Sequence, residues 1–450
     1  MKNVAFHNLG CKVNSYELNI VQQNFVDKGY KIVPFDEKAD IYIVNTCTVT
    51  NIADRKSRQM LHQAKARNPK ALVVALGCYV QTGEKQVEQD TCIDLAIGNN
   101  RKKEAVEIIE AFLKERRQNP EENGKTFKKP GKLQVLDLSK GCDYEEMRLS
   151  EAGEHTRAYI KIQDGCNQFC SYCIIPYARG RVRSRRPDDI YGEIETLSKK
   201  GYKEFVLTGI HISSYGTDFE EEQKENALLR LIQNIHEIGG VERIRLGSLE
   251  PRIVTEEFVS ALSKLPKLCP HFHLSLQSGC DATLKRMNRH YTVAEYMEGV
   301  DRLRSSFQDP AITTDVIVGF PGETEEEFLE TKAFLQEVGF FEMHIFPYSV
   351  RKGTVAAKMK DQVDGGIKKK RSKELLELDR VQSVIFREKF IGMTEQVLFE
   401  EAKEMEGSIY QVGHTARYVK VAKKTEEDLS GRVVSGKIID GLNEEILLME

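Results

Sequence analysis

Three cysteines, Cys166, Cys170 and Cys173, lie within a segment of eight residues. Three thiolates on one short loop can bind three irons of a four-iron cluster and leave the fourth iron open to a small molecule. A zinc site would usually need a second CxxC pair or histidines downstream, and neither follows in this sequence. Three buried structural cysteines are the remaining alternative. The spacing therefore favours an iron–sulfur cluster with an open iron.

Three further cysteines, Cys11, Cys47 and Cys78, each follow a short apolar run near the N-terminus. The candidate strands are 4–7, 41–45, 72–76 and 93–97, and the helical patterns between them are 15–28, 54–68 and 101–117. This alternation predicts a parallel α/β domain over residues 1–118, in which all strands end at one edge. The three thiols would meet there and could bind a second metal cluster. Alternatively, each cysteine is only a small buried residue.

The other cysteines and the composition restrict the class of protein. Cys92 lies at a strand start and is expected in the core, whereas Cys142, Cys269 and Cys280 receive no role. The chain has 450 residues, 40% hydrophobic and 30% charged, with a net charge of −3 that does not predict partners. The N-terminus lacks the apolar stretch of a secretory signal, and no apolar run is long enough for a membrane span. Ten cysteines in such a chain are expected to be reduced, which predicts a cytoplasmic protein.

A polar segment with several prolines and glycines, residues 119–151, is predicted to be a linker. Residues 152–385 then resume the alternation of strands and helices. Candidate strands are 158–163, 204–208, 243–248, 271–276, 313–318 and 342–346, and helical patterns include 187–200, 255–265, 293–306 and 325–338. Six β/α units predict a partial barrel whose active site is built by the loops after the strands. The cysteine loop at 166–173 follows the first of these strands.

Other strand ends in the predicted barrel carry residues suited to a small-molecule ligand. Glycine there lets the backbone approach a nucleoside, and hydroxyl, carboxylate or amide groups can bond ribose or an amino-acid head group. The candidate residues are Thr208, Gly209, Ser248, Glu250, Gln277 and Gly319. The segment after Gly319 also has an ordinary explanation, because Thr324 followed by three glutamates is a good helix start.

Both cysteine trios, taken with their neighbours, resemble the methylthiotransferases of the radical SAM superfamily. The resemblance lies in segments 6–14, 45–49, 77–79 and 166–180, covers nearly the whole chain, and is closest to the branch that acts on threonylcarbamoyl-adenosine beside the tRNA anticodon. It implies two [4Fe–4S] clusters, S-adenosylmethionine, and Tyr172 as the aromatic residue of the cofactor-binding loop. It also implies the tRNA anticodon stem-loop as partner and an electron donor such as a flavodoxin or ferredoxin. The sulfur donor stays open.

The chemistry of that reaction explains the need for such cofactors. Carbon 2 of adenine carries an unactivated C–H bond that side-chain acids and bases cannot break, so a cofactor must supply radical chemistry. The resemblance implies that the barrel cluster binds S-adenosylmethionine and that the N-terminal cluster holds the sulfur to be inserted. The alternatives are methylthiolation of isopentenyl-adenosine in tRNA or of a ribosomal-protein aspartate, and a non-catalytic zinc-holding RNA-binding protein.

The C-terminal segment, residues 386–450, shows β-like alternation and a stretch at 413–418 that resembles the TRAM motif. A nucleic-acid module should be basic, yet residues 391–450 hold seven Lys or Arg against twelve Asp or Glu. Positive charge lies instead just after the cysteine loop. There, five arginines are predicted to contact the substrate: Arg179, Arg181, Arg183, Arg185 and Arg186.

Overall fold

A computed structural model describes residues 2–118, 133–150, 156–405 and 407–450. Part of the predicted linker, residues 119–132 and 151, therefore lies outside the described residues. The described part of it, 133–150, packs on both neighbouring regions: it supplies a strand to the N-terminal sheet, and Met147 and Leu149 are buried in the main core. This packing differs from the loose connection that its polar composition predicts.

The N-terminal region is a fully parallel sheet of six strands in the order β2-β1-β3-β4-β5-β6. The strands are β1 (Asn3–Asn8), β2 (Lys31–Val33), β3 (Ile41–Thr46), β4 (Leu72–Gly77), β5 (Leu95–Ile97) and β6 (Leu133–Gln134). The helices are α1 (Lys12–Asp27), α2 (Asn51–Arg67), α3 (Cys78–Thr82), α4 (Glu84–Gln89) and α5 (Ala105–Gln118). The central strands β3 and β4 are buried on both faces, as a parallel sheet covered by helices requires. The predicted α/β class is thus confirmed for this region.

The middle region is the predicted partial barrel, built from two three-stranded parallel sheets, β7-β10-β11 and β12-β13-β14, that are joined by isolated bridges from β11 to the β12 segment. The strands are β7 (Arg157–Lys161), β8 (Gln163–Asp164), β9 (Arg183–Ser184), β10 (Glu204–Thr208), β11 (Arg243–Leu246), β12 (His271–His273), β13 (Ala311–Val318) and β14 (Glu342–Pro347). The short pair β8 and β9 frames the cysteine loop between them.

Helices cover the outside of this barrel, and their starts follow local sequence signals. Thr292 and Thr324 each form a capping box with the glutamate three residues later, which confirms the helix start expected at Thr324. The helices are α6 (Ile175–Arg179), α7 (Pro187–Lys199), α8 (Glu221–Lys224), α9 (Ala227–Glu237), α10 (Glu256–Leu262), α11 (Asp281–Arg286), α12 (Val293–Ser306), α13 (Glu325–Val338) and α14 (Gly365–Glu388).

The C-terminal region is a closed five-stranded barrel in the order β15-β16-β17-β19-β18. Its strands are β15 (Thr394–Met405), β16 (Ser408–Thr415), β17 (Lys420–Lys424), β18 (Val433–Gly441) and β19 (Leu447–Met449). The small β-rich domain predicted for this end of the chain is therefore present. No helix within the described residues is long and apolar enough to cross a membrane.

Candidate active site

The N-terminal cysteine trio lies at one edge of the parallel sheet. Cys11 immediately precedes α1, Cys47 follows β3, and Cys78 begins α3 directly after β4. The loops that carry them touch: a Cβ on Gly10, which has a positive φ of 122°, would lie 3.2 Å from the Cβ of Cys47. Parallel strands thus bring together three thiols that are separated by up to 67 residues in sequence.

Buried polar side chains fix the three strand ends to one another. The Asn14 amide donates to the carbonyls of Leu9 and Thr46, at 2.9 and 3.1 Å, and so ties α1 to the ends of β1 and β3. The Asn45 amide donates back to the carbonyl of Asn14 at 2.8 Å. The Thr46 hydroxyl accepts from the amide of Tyr79, beside Cys78, at 3.2 Å. This network positions the loops before any ligand is bound.

The second trio is held by a tight loop at the end of the first barrel strand. Gly165 has a φ of 70°, and a Cβ there would lie 1.8 Å from the carbonyl oxygen of Arg181, so only glycine fits. The amide of Cys166 donates to the carbonyl of Gly180 at 3.0 Å, and that of Cys173 to the carbonyl of Cys170 at 2.9 Å. The loop is therefore folded back on itself.

The two trios approach each other across the contact between the N-terminal sheet and the barrel. Helix α3, which begins at Cys78, packs on α6, which begins two residues after Cys173. The Asn99 amide joins them, since it lies 3.4 Å from the Cys78 sulfur and donates to the carbonyl of Ala178 at 2.7 Å. A second tie comes from Arg351, which donates to the hydroxyl of Thr48, the residue after Cys47, at 2.7 Å.

The chemistry of these donor sets fits iron–sulfur clusters. Burial and neighbouring thiols raise the pKa of Cys47 to about 11 and that of Cys173 to about 12, so deprotonation requires a bound cation. A single zinc ion needs sulfur atoms roughly 3.8 Å apart, from tetrahedral Zn–S bonds of about 2.3 Å. Two groups of histidine, cysteine or aspartate side chains among the described residues have all their ligand atoms within 4.8 Å of one another. Neither group is a cysteine trio. The wider spacing suits a polynuclear cluster better than one ion.

The predicted cofactor residues occupy the barrel rim next to the cysteine loop, and they differ in how exposed they are. Ser248 is exposed and its hydroxyl is 2.7 Å from that of Ser275, while Glu250 is buried and bonded by Arg252 at 2.6 Å. Tyr172 packs against Phe320, with ring centroids 6.4 Å apart. Gln277 is buried with a φ of 71°, and Thr208 is buried at the end of β10. The role of these five residues in binding the cofactor stays a prediction.

Both predicted glycines have a packing reason within the chain itself. A Cβ on Gly209 would lie 2.9 Å from the Gln163 side chain. A Cβ on Gly319 would lie 2.3 Å from the side chain of Lys368 on α14. Close approach of the protein to its own backbone therefore accounts for these glycines, and approach to a nucleoside is not needed to explain them.

Two rim residues that the sequence did not single out are Arg289 and His211. The Arg289 guanidinium donates to the Cys170 sulfur at 3.3 Å and to the hydroxyl of Tyr291 at 3.0 Å. Burial lowers the pKa of His211 to about 4, and its Nε2 has no hydrogen-bond partner among the described residues. No local motif marks Arg289, because 119 residues separate it from Cys170. A position just after strand β10 is the one signal that could have identified His211.

The expected substrate contact of the arginine run needs correction at three positions. Arg179 is buried against Glu17 and Asp164, and Arg185 is buried against Glu146 and Glu193. Arg183 is also buried, with Asp164 at 3.5 Å. Carboxylates bond the guanidiniums of Arg179 and Arg185, which therefore brace the protein, whereas the Arg183 guanidinium is buried without a hydrogen-bond partner among the described residues. Arg181 and Arg186 are exposed.

An aromatic surface lies beside the exposed Arg181. Its guanidinium sits over the Phe169 ring at 4.6 Å, and the Phe169 and Tyr177 rings meet edge to face at 5.9 Å. Tyr177 is 52% exposed. The three side chains line a cavity of about 470 Å³ that also touches Gln81 and Glu84 of the N-terminal region. Exposed aromatic rings with an arginine suit the stacking of unpaired bases.

The motif-like stretch at 413–418 is used to attach the C-terminal barrel. Arg245 donates to the carbonyl of Ala416 at 2.9 Å, and Arg243 to that of His414 at 3.1 Å. The Tyr418 ring packs on His271, and the guanidiniums of Arg157 and Arg245 each lie 4.8 Å from its centroid. This stretch therefore closes the N-terminal end of the central barrel.

The remaining cysteines lie outside both trios. Cys269 and Cys280 are buried, whereas Cys142 and Cys92 are partly exposed. The expectation that Cys92 is a core residue is wrong, because β5 begins three residues later and Cys92 lies in the preceding turn, where its amide donates to Asp90 at 2.9 Å.

Comparison with known proteins agrees with this architecture. Residues 160–335 match the Radical SAM superfamily, and residues 3–98 match the Uncharacterized protein family UPF0004. Among solved structures, the radical S-adenosylmethionine methyltransferase TsrM from Kitasatospora setae aligns with a TM-score of 0.54 at 14% identity, over 77% of this chain and 72% of that one. This likeness concerns the fold alone. The fold and the cysteine loop define the protein as a radical SAM enzyme.

Sequence relatives place the chain more closely. A Bacillus subtilis (strain 168) protein named threonylcarbamoyladenosine tRNA methylthiotransferase MtaB is 40% identical and covers 98% of this chain and 94% of its own. The protein of that name from Aquifex aeolicus (strain VF5) is 41% identical over 89% of this chain and 94% of its own. A Thermoanaerobacter sp. (strain X514) tRNA-2-methylthio-N(6)-dimethylallyladenosine synthase is 34% identical over 99% of this chain and 89% of its own. The chain belongs to the radical SAM methylthiotransferase family, whose cofactors are S-adenosylmethionine and [4Fe–4S] clusters.

Proposed function

We propose that this protein inserts a methylthio group at carbon 2 of N6-threonylcarbamoyladenosine next to the tRNA anticodon. The observation that carries the proposal is the meeting of two cysteine trios across one contact, where Asn99 joins Cys78 to the helix after Cys173. A reaction that joins a sulfur to a carbon radical needs both components in one cavity. The threonylcarbamoyladenosine substrate is supported by the names of the relatives that are 40% and 41% identical.

We assign one four-iron cluster to each trio. Cys166, Cys170 and Cys173 would hold the cluster that binds S-adenosylmethionine, and Cys11, Cys47 and Cys78 the cluster that carries the inserted sulfur. When bound, these groups supply the radical that removes hydrogen from carbon 2 and the sulfur that replaces it. Three thiolates per cluster leave one iron open in each case.

The side chains around the two cysteine trios would bind the cofactors, orient them and shield them from water. Arg289 donates a hydrogen bond to the Cys170 sulfur and contacts the carbonyl oxygen of Ser275. Glu250 also lies near Cys166 on this rim, and its carboxylate suits an amino-acid head group or a ribose. Tyr172 and Phe320 provide an apolar wall at the rim. Asn99 gives the Cys78 sulfur a neutral donor. The interlocked strand ends hold these groups before substrate binds.

We propose that RNA is bound by Arg181, Arg186 and the Phe169–Tyr177 surface. Arg181 and Arg186 supply charge for phosphates, and the aromatic rings supply stacking for unpaired loop bases. A TRAM-like role for residues 386–450 in RNA binding is less favoured, since the 413–418 stretch faces the central barrel. An external one-electron donor such as a flavodoxin or ferredoxin completes the set of partners, and a tRNA substrate implies a cytoplasmic enzyme.

The proposed domain division is residues 1–118, 152–385 and 386–450, with 119–151 connecting the first two. The parallel sheet, the partial barrel and the closed β-barrel support it. Isopentenyl-adenosine in tRNA is the second candidate substrate, favoured by the 34% identical relatives named dimethylallyladenosine synthases.

The experiment that tests the proposal is nucleoside mass spectrometry of tRNA from a strain lacking the corresponding gene. Expression of the wild-type chain should convert threonylcarbamoyladenosine to its 2-methylthio derivative, and a chain with Cys166, Cys170 and Cys173 replaced by alanine should not. Conversion of isopentenyl-adenosine alone would select the second candidate. An unchanged tRNA with a modified ribosomal-protein aspartate would overturn both tRNA assignments.

A further inference from the structure

A cluster of polar side chains lines the inside of the central barrel below the two cysteine trios. It consists of His273 on β12, Asp315 on β13 and His344 on β14, whose ligand atoms all lie within 4.8 Å of one another. The His273 Nε2 is 3.4 Å from Asp315 Oδ2, and the two imidazole rings stack with centroids 5.9 Å apart. None of these three residues belongs to the rim residues, the exposed arginines or the docking of the C-terminal barrel described above.

Strand alternation shows that these groups face the barrel interior. The neighbours Phe272, Leu274 and Val316 point the other way and are fully buried in the core beneath the outer helices. The polar side chains are nevertheless accessible: Asp315 is 32% exposed, and His344 is exposed. An accessible polar interior in a barrel whose opposite face is mostly apolar indicates a pocket for a polar ligand.

Lys12 brings a cation from the N-terminal region to the barrel, where it lies near Tyr159 of β7 and, like His273, near His271 of β12. It directly follows Cys11, and its Nζ lies 6.0 Å from the centroid of the Tyr159 ring, which projects from β7 on the face opposite the buried Ala158 and Ile160. Within the described ranges Lys12 has no carboxylate within ion-pair distance, although most cations nearby do, for example Lys102 and Lys161 with Glu17. Lys12 is therefore available to an anionic ligand.

The pocket lies about two residues deeper in the barrel than the residues that contact the cysteine loop. Ser275 is two residues beyond His273 on the same face, about 7 Å along the strand. Its carbonyl oxygen is 3.4 Å from Arg289, whose guanidinium contacts the Cys170 sulfur. At the other end, Tyr418 of the C-terminal barrel packs on His271 and closes the barrel. A group entering this pocket would thus extend from the plane of the two trios toward a closed floor.

We infer that Lys12, His273, Asp315 and His344 form the pocket for the threonyl group of the substrate base, an inference that rests on the proposed function. Lys12 binds the threonyl carboxylate, the exposed imidazole of His344 donates to the same group, and Asp315 accepts from the threonyl hydroxyl. His273 holds Asp315 in place. The isopentenyl group has no atom that could satisfy these side chains, so the pocket selects the threonylcarbamoyl base against the isopentenyl base.

The test measures binding of anticodon stem-loops to the reconstituted full-length protein by fluorescence anisotropy. Three loops are compared, carrying threonylcarbamoyladenosine, isopentenyl-adenosine or unmodified adenosine. Wild type should prefer the threonylcarbamoyl loop. Lys12→Gln and His344→Gln should each weaken binding of the threonylcarbamoyl loop by about tenfold to a hundredfold, the usual range for a charged hydrogen bond. Each should change the affinity for the unmodified loop by less than about twofold. Lys28→Gln, at the exposed far end of α1, is the matched control and should leave all three affinities unchanged.

Iron content and circular dichroism establish that each variant is folded. If Lys12→Gln loses iron, His344→Gln and Asp315→Asn decide the question. Retention of the wild-type preference in folded variants would overturn the inference and leave the proposed function intact, provided that wild type still converts threonylcarbamoyladenosine. If wild type does not convert it, the proposed function fails first. One zinc per chain that disappears in His344→Gln would instead make the cluster a metal site and overturn the inference.

Discussion

Arg179, six residues after the last cysteine of the barrel loop, donates to the carboxylate of Glu17 on the first helix, with Nη1 to Oε1 at 2.8 Å. Both side chains are almost completely buried. Lys102 and Lys161 bind the same carboxylate at 2.5 and 2.6 Å. One buried glutamate thus joins the N-terminal sheet to the barrel between the two cysteine trios, and burial is offset by charge from Arg179, Lys102 and Lys161, which keep the pKa of Glu17 well below its usual value.

Loss of this contact should destabilise the whole protein. Arg179→Gln leaves a buried carboxylate with one cation fewer and should lower the free energy of unfolding by about 3–5 kcal/mol. Arg186→Gln, on the surface seven residues later, should change it by less than about 0.5 kcal/mol. Urea unfolding followed by circular dichroism measures both. Equal stability of the two variants would show that the buried network does not hold the regions together.

The exposed arginines should affect RNA instead. Arg181→Gln and Arg186→Gln should weaken tRNA binding, and each lost phosphate contact should reduce the slope of log affinity against log salt by about 0.7–0.9. Reductive cleavage of free S-adenosylmethionine should continue at the wild-type rate, because neither side chain contacts a cysteine loop sulfur. Unchanged salt slopes in both variants would remove these arginines from the RNA interface.

How far the sequence alone predicts such roles differs between the two kinds of residue. Parallel strands end at one edge, so the meeting of Cys11, Cys47 and Cys78 follows from their positions after three apolar runs. The burial of Arg179 does not follow in this way, because its partner Glu17 is 162 residues away and nothing local marks the pair. A run of arginines looks the same in sequence whether it faces water or carboxylates.

The same limit applies to the elements that were missed. Strand β6 has only two residues, which is too short for a recognisable strand pattern. It pairs with β5, from which it is far removed in sequence. The stretch at 413–418 was identified from its resemblance to a motif. Its docking through Arg243 and Arg245 depends on side chains of another region. Local patterns predict elements, whereas contacts between regions require the folded chain.

The iron content should divide equally between the trios. Anaerobically reconstituted wild type should hold about eight irons per chain, and the variant with Cys166, Cys170 and Cys173 replaced by alanine about four. Cys142→Ala, which alters a cysteine outside both trios, serves as the control and should keep the full amount. Full iron in the triple variant, or zinc in place of iron in wild type, would contradict the assignment of one cluster to each trio.

The stability of the protein should also depend on pH in the mildly acidic range. Burial raises the pKa of Asp379 to about 6 in the folded protein, so the folded state binds its proton more tightly than the unfolded state does. The cost of ionising this group is therefore absent below about pH 4, grows between about pH 4 and 6, and stays constant above that range. Asp379→Asn keeps an oxygen to accept from the amide of Met343, a bond of 2.6 Å in wild type. It should flatten the pH dependence of the urea midpoint between about pH 4 and 6, and an unchanged slope would contradict this.

The division of labour between the trios is the central claim, and single-turnover reaction with purified components tests it most directly. Wild type, S-adenosylmethionine, a reductant and tRNA bearing threonylcarbamoyladenosine are combined anaerobically, and both 5′-deoxyadenosine and the modified nucleoside are quantified by mass spectrometry. The account predicts that wild type forms both products. Replacement of Cys11, Cys47 and Cys78 by alanine should abolish methylthiolation while 5′-deoxyadenosine still forms. Loss of 5′-deoxyadenosine in that folded variant, or methylthiolation without those three cysteines, would contradict it.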